Sequence, residues 1–571
     1  MRPRLFAISI IAIVSLYAYT QRAALGQWAF EQTGEEQPAS QARALWHLAL
    51  QSLTRPALDL QPEVPIQHNG VNPFGINTFL QQEVEESKRE RQVQLIAEAG
   101  FKWIRQEVPW ADIEISGKGN FDDCRNGPCL SAWMKYDHII SLAQKYGLNV
   151  IARLSSPPDW SRADGAARGA FAPPDNFADF ADYAEAVARR YPGRLKYFQV
   201  WNEPNIYPEW GDQPADPEQY TDLLCQTYRR LKQVDPNIVV LSGVLAPTNE
   251  LGGINPVTTQ AAEINDFIYL QRMYAAGAKD CFDVLTVQGY GLWSGPTDQR
   301  NRPLVINYGR NQFIRDLMVR NGDAHKAIWI AEMNWNAVPD GSGIPPNFGR
   351  VTEEQQARYA PLAYQRQQEE WPWVGVNMLW FFKRASDAEK DQPWYYFRLA
   401  DPDFTLRPIY YSMKAYANQP PVMYPGWFGH DHWAVTWDEA GWGIAHDERY
   451  TFGTARYACR PQANASFIFA GTELALVTQR APDAGGLTVK VDGRASVLSL
   501  HADQVQTPAP ITVARGLING QHWAEITNGS GCNAVIGFIV RRASDYTGQL
   551  IASLIGAVSL IWLAARRVQS L

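Results

Sequence analysis

The chain has 571 residues, 46% of them hydrophobic and 19% charged, a composition that suits a folded protein with more than one globular unit. A formal net charge of -7 and a pI near 5.8 argue against a nucleic-acid partner, which requires a basic face. Core packing accounts for some of the 21 Trp, but flat indole faces also suit sugar rings.

In chain order, residues 1–21 begin with Arg2 and Arg4, followed by an apolar run from Leu5 to Tyr19. This reads as a signal anchor or a signal peptide. Residues 22–69 are polar and rich in Ala and Gln, with a helical patch at "ARALWHLALQSL", and read as a stalk or linker. From 70 to 420, short apolar runs alternate with helical stretches. The runs are 74–79, 102–108, 149–155, 197–203, 238–244, 283–290, 327–333 and 374–382. Eight strand–helix repeats with near-continuous apolar strands predict an α/β fold, a (β/α)8 TIM barrel. Across 425–543 the helical signal stops and apolar and polar residues alternate. "VDGR" marks a tight hairpin, and the segment reads as a β-sandwich or jelly roll. The chain is apolar from Leu550 to Ala565 and then has Arg566 and Arg567, so 548–566 reads as a C-terminal transmembrane helix with its basic end in the cytoplasm. With Arg2 and Arg4 on the same side, the expected placement is membrane-anchored through a lipid bilayer, with the globular part extracytoplasmic.

The cysteines fit that placement. Cys124 and Cys129 share a polar loop, Cys459 and Cys532 flank a β-rich segment, and Cys225 and Cys281 remain. An even count suggests disulfides formed outside the reducing cytosol. No C-x-x-C or H-E-x-x-H occurs, and the His are scattered, so neither a metal nor a cofactor is expected.

Catalytic residues of a TIM barrel project from the C-terminal ends of its strands. Here Glu203 ends the fourth run and Glu332 the seventh. Arg105 lies on the second, Tyr290 ends the sixth and Trp380 ends the eighth. Two carboxylates across a barrel mouth are what glycoside hydrolysis needs, one protonated to assist the leaving oxygen and one ionised to attack the anomeric carbon. An adjacent arginine and a tyrosine hydroxyl would keep Glu332 ionised, while Glu203, between Asn202 and Pro204, could hold its proton. Trp110, Trp160, Trp210, Trp293 and Trp335 fall in loops on the presumed catalytic face, where some would stack on sugars.

The stretch "WNEPN", followed by Trp210, resembles the acid/base motif of clan A glycoside hydrolases, especially the family 39-like group of β-xylosidases and α-L-iduronidases. "AEMNW" is correctly placed for the nucleophile. The resemblance covers about 70 to 418 and implies a retaining double displacement with Glu203 as acid/base and Glu332 as nucleophile. It further implies that Asn202 holds the substrate 2-hydroxyl, Arg105 orients Glu332, Tyr290 hydrogen-bonds it and Trp380 floors the -1 subsite. One position departs from the pattern: many clan A members carry His two residues before the sixth-strand tyrosine, and this chain has Gln288. In the sandwich, "FIFAGTELALVTQRAPDAGGLTVKVDG" resembles the galactose-binding-like jelly roll found beside carbohydrate enzymes. The expected substrate is a polysaccharide or oligosaccharide of the cell surface or surroundings. Alternative readings are a transglycosidase that remodels such a polysaccharide and a non-catalytic glycan-binding protein on the same fold.

Overall fold

The computed structural model describes residues 20–251 and 263–543. The apolar run from Leu5 to Tyr19 and the expected helix at 548–566 lie outside the described residues. Among the described residues, no helix is long and apolar enough to cross a membrane. The chain divides after Pro420 into two compact units.

The first unit is a closed barrel of eight parallel strands. They are β1 (Phe74–Thr78), β2 (Trp103–Pro109), β3 (Asn149–Ser155), β4 (Tyr197–Val200), β5 (Val239–Leu241), β6 (Val284–Gln288), β7 (Ala327–Met333) and β8 (Val374–Leu379). Each strand pairs with its neighbours in sequence, and β8 closes on β1 through Phe74 opposite Asn377. Most strand residues are buried, as expected of a parallel sheet covered on both faces. The expected runs are longer than the strands. In the fourth, Trp201 adopts a left-handed backbone (φ 77°), so pairing stops at Val200 and Glu203 sits beyond the strand end. Local signals set the helix starts between strands: Asp216 caps Pro217–Val234 by accepting from the Gln219 N–H, and Thr352 with Gln355 forms a capping box on Glu353–Glu370.

Residues 22–69 are not a free stalk. They form α1 (Arg22–Thr33) and α2 (Pro38–Thr54), and both dock on the barrel. The Thr297 hydroxyl donates to Phe30 O (2.6 Å), Gly295 N–H donates to Gly34 O (2.8 Å) and Arg300 pairs with Glu35 (2.6 Å). Phe30 also packs on Tyr359, with ring centroids 5.9 Å apart. These contacts join residues more than 260 positions apart, so a window on the sequence sees only the polar composition.

The second unit is one ten-stranded sheet. Its strands are β9 (Val422–Met423), β10 (Gly426–Gly429), β11 (Thr436–Trp437), β12 (Gly443–His446), β13 (Thr454–Ala458), β14 (Asn464–Thr478), β15 (Gly486–Val491), β16 (Arg494–Ser499), β17 (Ala509–Asn528) and β18 (Asn533–Arg541). All pairs are antiparallel except β9 with β14. Asp492 and Gly493, both at positive φ, make the β15–β16 turn that "VDGR" predicts. The long strand β14 carries a bulge between Gly471 and Glu473. The extra residue shifts the alternation, so Phe467 and Phe469 before it and Leu474 and Leu476 after it face one core, while Ala475 and Val477 face another.

Disulfides join Cys124–Cys129, Cys225–Cys281 and Cys459–Cys532, with Cα separations of 4.1, 4.7 and 4.0 Å.

Candidate active site

The barrel interior turns polar toward the C-terminal ends of its strands, and Arg105 is the hub of that layer. Its Nε donates to Gln199 Oε1 on β4 (2.6 Å). Its Nη1 donates to Asn77 Oδ1 on β1 (2.9 Å) and to Glu332 Oε1 on β7 (2.8 Å). Its Nη2 donates to Asn202 Oδ1 (2.7 Å). Register places several of these groups: Asn77 lies opposite Arg105, Glu107 opposite Arg153, and Gln288 opposite Glu332. Asn77 is itself fixed, because its amide donates to Ala331 O (2.8 Å) and Leu379 O (3.2 Å) on the two strands beyond.

Glu203 reaches the same space from the turn after β4. Asn205 locks that turn: its amide donates to Ala246 O (2.8 Å) and Ile264 O (3.1 Å), and its carbonyl accepts from Ala246 N–H (2.9 Å). Val244 N–H donates to Asn202 O (2.6 Å). Gly243 must be small, because a Cβ there would lie 2.9 Å from the Tyr220 hydroxyl and 3.0 Å from Pro204. Held in this way, the Glu203 carboxylate accepts a hydrogen bond at Oε1 from the Gln288 amide. The same amide nitrogen donates to Glu332 Oε2 (3.1 Å), which also accepts from the Tyr290 hydroxyl (3.1 Å). Two hydrogen bonds to one nitrogen keep the bonded oxygens within about 6 Å of each other.

The two carboxylates have different surroundings. Glu332 is buried and forms an ion pair with Arg105. Glu203 has no ion pair with a cation among the described residues. Burial, and then repulsion from Glu332 and Glu209, lift its carboxyl well above the usual range, against the opposing pull of Arg105 and Arg153. Burial and the nearby charges of Glu332 and Glu203 likewise raise Tyr290, so it stays a hydrogen-bond donor. The mouth therefore holds one carboxyl shifted toward its protonated form and one carboxylate paired with a guanidinium.

Sequence reading did not find the rest of this layer. Glu107 pairs with Arg153 (2.7 Å) and accepts at Oε1 from the hydroxyls of Ser155 (2.8 Å) and Ser156 (2.9 Å). Burial pushes the Glu107 carboxyl up, but Arg153 and the two serines outweigh it and leave it below its ordinary value. Glu209 approaches from the "WNEPN" loop. Burial raises its carboxyl above the ordinary value, against the pull of Arg153 and of the nearby Asn202 amide. Only the strand register of the fold sets Glu107 beside Arg153.

The expected aromatics divide. Trp380 is partly exposed just past β8, edge-on to Phe79 at 5.4 Å. Trp160 is partly exposed, though its indole N–H donates to Glu114 O (2.7 Å), and Trp293 is exposed. Trp210 and Trp335, expected to bind substrate, cannot stack on a sugar, and neither can Trp110, because all three are buried. Trp210 packs on Trp201 and Tyr220, Trp335 packs on Tyr308 and Tyr359, and Trp110 lies against Tyr183 and Phe180. These rings are the cores of the loops that carry them.

No protein-family model matches the chain, and no curated protein matches it. Solved structures similar to it include a family 39 glycoside hydrolase from the gut symbiont Bacteroides cellulosilyticus WH2, 16% identical, covering 81% of this chain and 82% of that one with a TM-score of 0.45. A monomeric β-xylosidase from Caulobacter crescentus CB15 is 14% identical, with 83% and 99% covered and a TM-score of 0.42. A family 39 enzyme from Xanthomonas axonopodis pv. citri is 14% identical, with 84% and 99% covered and a TM-score of 0.42. What the site can do is read from its own residues.

Proposed function

We propose that this chain is a glycoside hydrolase that cleaves O-glycosyl bonds of a cell-surface or extracellular polysaccharide by double displacement with retention. The observation that carries this reading is the Gln288 amide shared by Glu203 and Glu332 at the C-terminal mouth of the barrel. Oxygens within about 6 Å are compatible with the retaining separation of about 5–5.5 Å. In the first step a Glu332 oxygen attacks the anomeric carbon, the glycosidic C–O bond breaks and the leaving oxygen takes the Glu203 proton. In the second step water attacks the glycosyl-enzyme, Glu203 accepts its proton and Glu332 is released. Arg105 and Tyr290 bond Glu332 and aim it, and the partly exposed Trp380 past the end of β8 offers a platform for a sugar ring. We place the globular units outside the cytoplasm, tethered by the terminal apolar runs. Three disulfides and the flanking arginines support this placement.

The test is leaving-group dependence. Glu203→Gln slows glycosides with poor leaving groups by about 10² to 10⁴, the usual worth of general acid assistance, and slows activated aryl glycosides much less. Azide partly rescues a Glu203→Ala variant, with the configuration retained in the product. Glu332→Gln abolishes turnover of both substrate types. Equal losses on both leaving groups in the Glu203 variant would remove it as the proton donor.

A further inference from the structure

The two N-terminal helices leave several large apolar side chains outward. In α2, Ala42, Trp46, Ala49, Leu50 and Leu53 recur at helical spacing and form one stripe. A surface helix of a globular protein turns such a stripe to the core. Here Trp46 is 64% exposed, Leu50 40% and Leu53 82%. The side of α2 against the barrel is lined by Gln41 and Ala44, both buried, by Leu45 and Leu48, half-buried, and by Gln51, whose carbonyl accepts from Asn301 N–H (2.7 Å). In α1, Ala29, Phe30 and Thr33 pack inward, while Leu25 (46% exposed) and Trp28 (49%) stay outside. Five large apolar side chains on two adjacent helices are more than scattered surface residues, and such patches mark contact surfaces.

The chain ahead of these helices identifies the occupant. The apolar run from Leu5 to Tyr19 ends three positions before Arg22 opens α1. Leu25 lies six positions after Tyr19, a span of at most about 20 Å even when fully extended. An anchor that enters the bilayer therefore holds this patch within reach of the headgroups. The side chains suit that position, since Trp favours the membrane interface. Arg22 and Arg43, both exposed, lie on the two helices and complement anionic lipid.

We propose that the outward faces of α1 and α2 lie on the bilayer surface, with Leu25, Trp28, Trp46, Leu50 and Leu53 at the headgroup boundary. This rests on the anchoring reading above. The helices lie along the membrane and seat the barrel against it, as amphipathic interfacial helices do.

The test uses the full-length chain reconstituted in vesicles of phosphatidylcholine and phosphatidylglycerol. An environment-sensitive fluorophore is attached at Trp28→Cys, Trp46→Cys or Leu53→Cys, with Val497→Cys, an exposed site in the second unit, as control. The expected result is that the chain floats with the vesicles and the helix probes emit at shorter wavelength. Iodide should quench these probes several-fold less than the control, and brominated lipid should quench them strongly. A chain that floats while all probes are equally open to iodide overturns the inference and leaves the anchoring intact. Probes shielded from iodide but untouched by brominated lipid overturn it in favour of a protein partner or a second copy of the chain. A chain that does not float overturns the anchoring and this inference together.

Discussion

Gln288 is the residue on which the candidate site turns. Its amide touches both carboxylates, and it stands where the resemblance leads one to expect histidine. An N–H bond to Glu203 Oε1 leaves Oε2 to carry the proton, so the amide also decides where that proton points. Gln288→Leu removes a donor from two ionisable acceptors. Bonds to charged groups are typically worth about 1.5–3 kcal/mol, so kcat/KM is expected to fall at least about tenfold. Glu203 faces Glu332, Glu209, Arg105 and Arg153, and none of these changes in the variant. Loss of a bond that favours the ionised form therefore shifts the basic limb of the pH–rate profile upward. An unmoved limb in that profile would remove Gln288 from this role. Glu203 also makes a stability prediction. Its folded-state pKa is raised, so between its unfolded value of 4.5 and the folded value the native state binds the extra proton. Unfolding free energy then falls as pH rises through that window. Glu203→Gln abolishes this cost, so the variant's gain in Tm over the parent is larger at pH 8 than at pH 4, as a pair of thermal melts would show. That Glu203 and Glu332 meet at one mouth was legible because each stands at or just past a strand end within a recognisable phrase. Glu107, Arg153 and Glu209 were not, because their partners come from other strands and loops.

At the scale of the element, the turn after β4 is held from outside itself. Asn205 is fully buried and satisfied by Ala246 and Ile264, residues far along the chain. Asn205→Ala strands buried backbone groups at a cost of about 1–3 kcal/mol and lets Glu203 drift, so Tm and kcat should fall together. Retained kcat with lowered Tm would separate the clamp from the chemistry. The loop tryptophans carry the opposite lesson. Trp210 looked like a sugar platform in sequence, but its ring is enclosed by Trp201 and Tyr220. Trp210→Ala is therefore expected to destabilise by about 3–5 kcal/mol. A variant of parental Tm with only a raised KM would restore the sugar-stacking role. Composition and spacing report that a ring is present in a loop. Whether the loop closes over it depends on packing.

At the scale of the whole molecule, the two units rest on different bonds. The second unit is an open sheet whose strands meet through long-range pairing, with Cys459 and Cys532 tied across 73 positions. Replacing both with Ser is expected to cost about 2–5 kcal/mol, read as a lower denaturant midpoint for the transition of the sheet unit. An unchanged midpoint would show the bridge to be dispensable. The eight-fold alternation of apolar runs and helical stretches was enough to specify a barrel, because strand burial and βα order are local properties that every repeat displays. The carboxylate pair followed from that order, since strands four and seven present their C-terminal ends to one mouth. The polar layer around Arg105, the amide shared by Glu203 and Glu332, the burial of Trp210 and Trp335, and the docking of α1 and α2 with their apolar faces outward were decided only by the tertiary structure. Each depends on which distant residues a side chain meets, and strand register and packing set those meetings. The periodicity of any one segment does not.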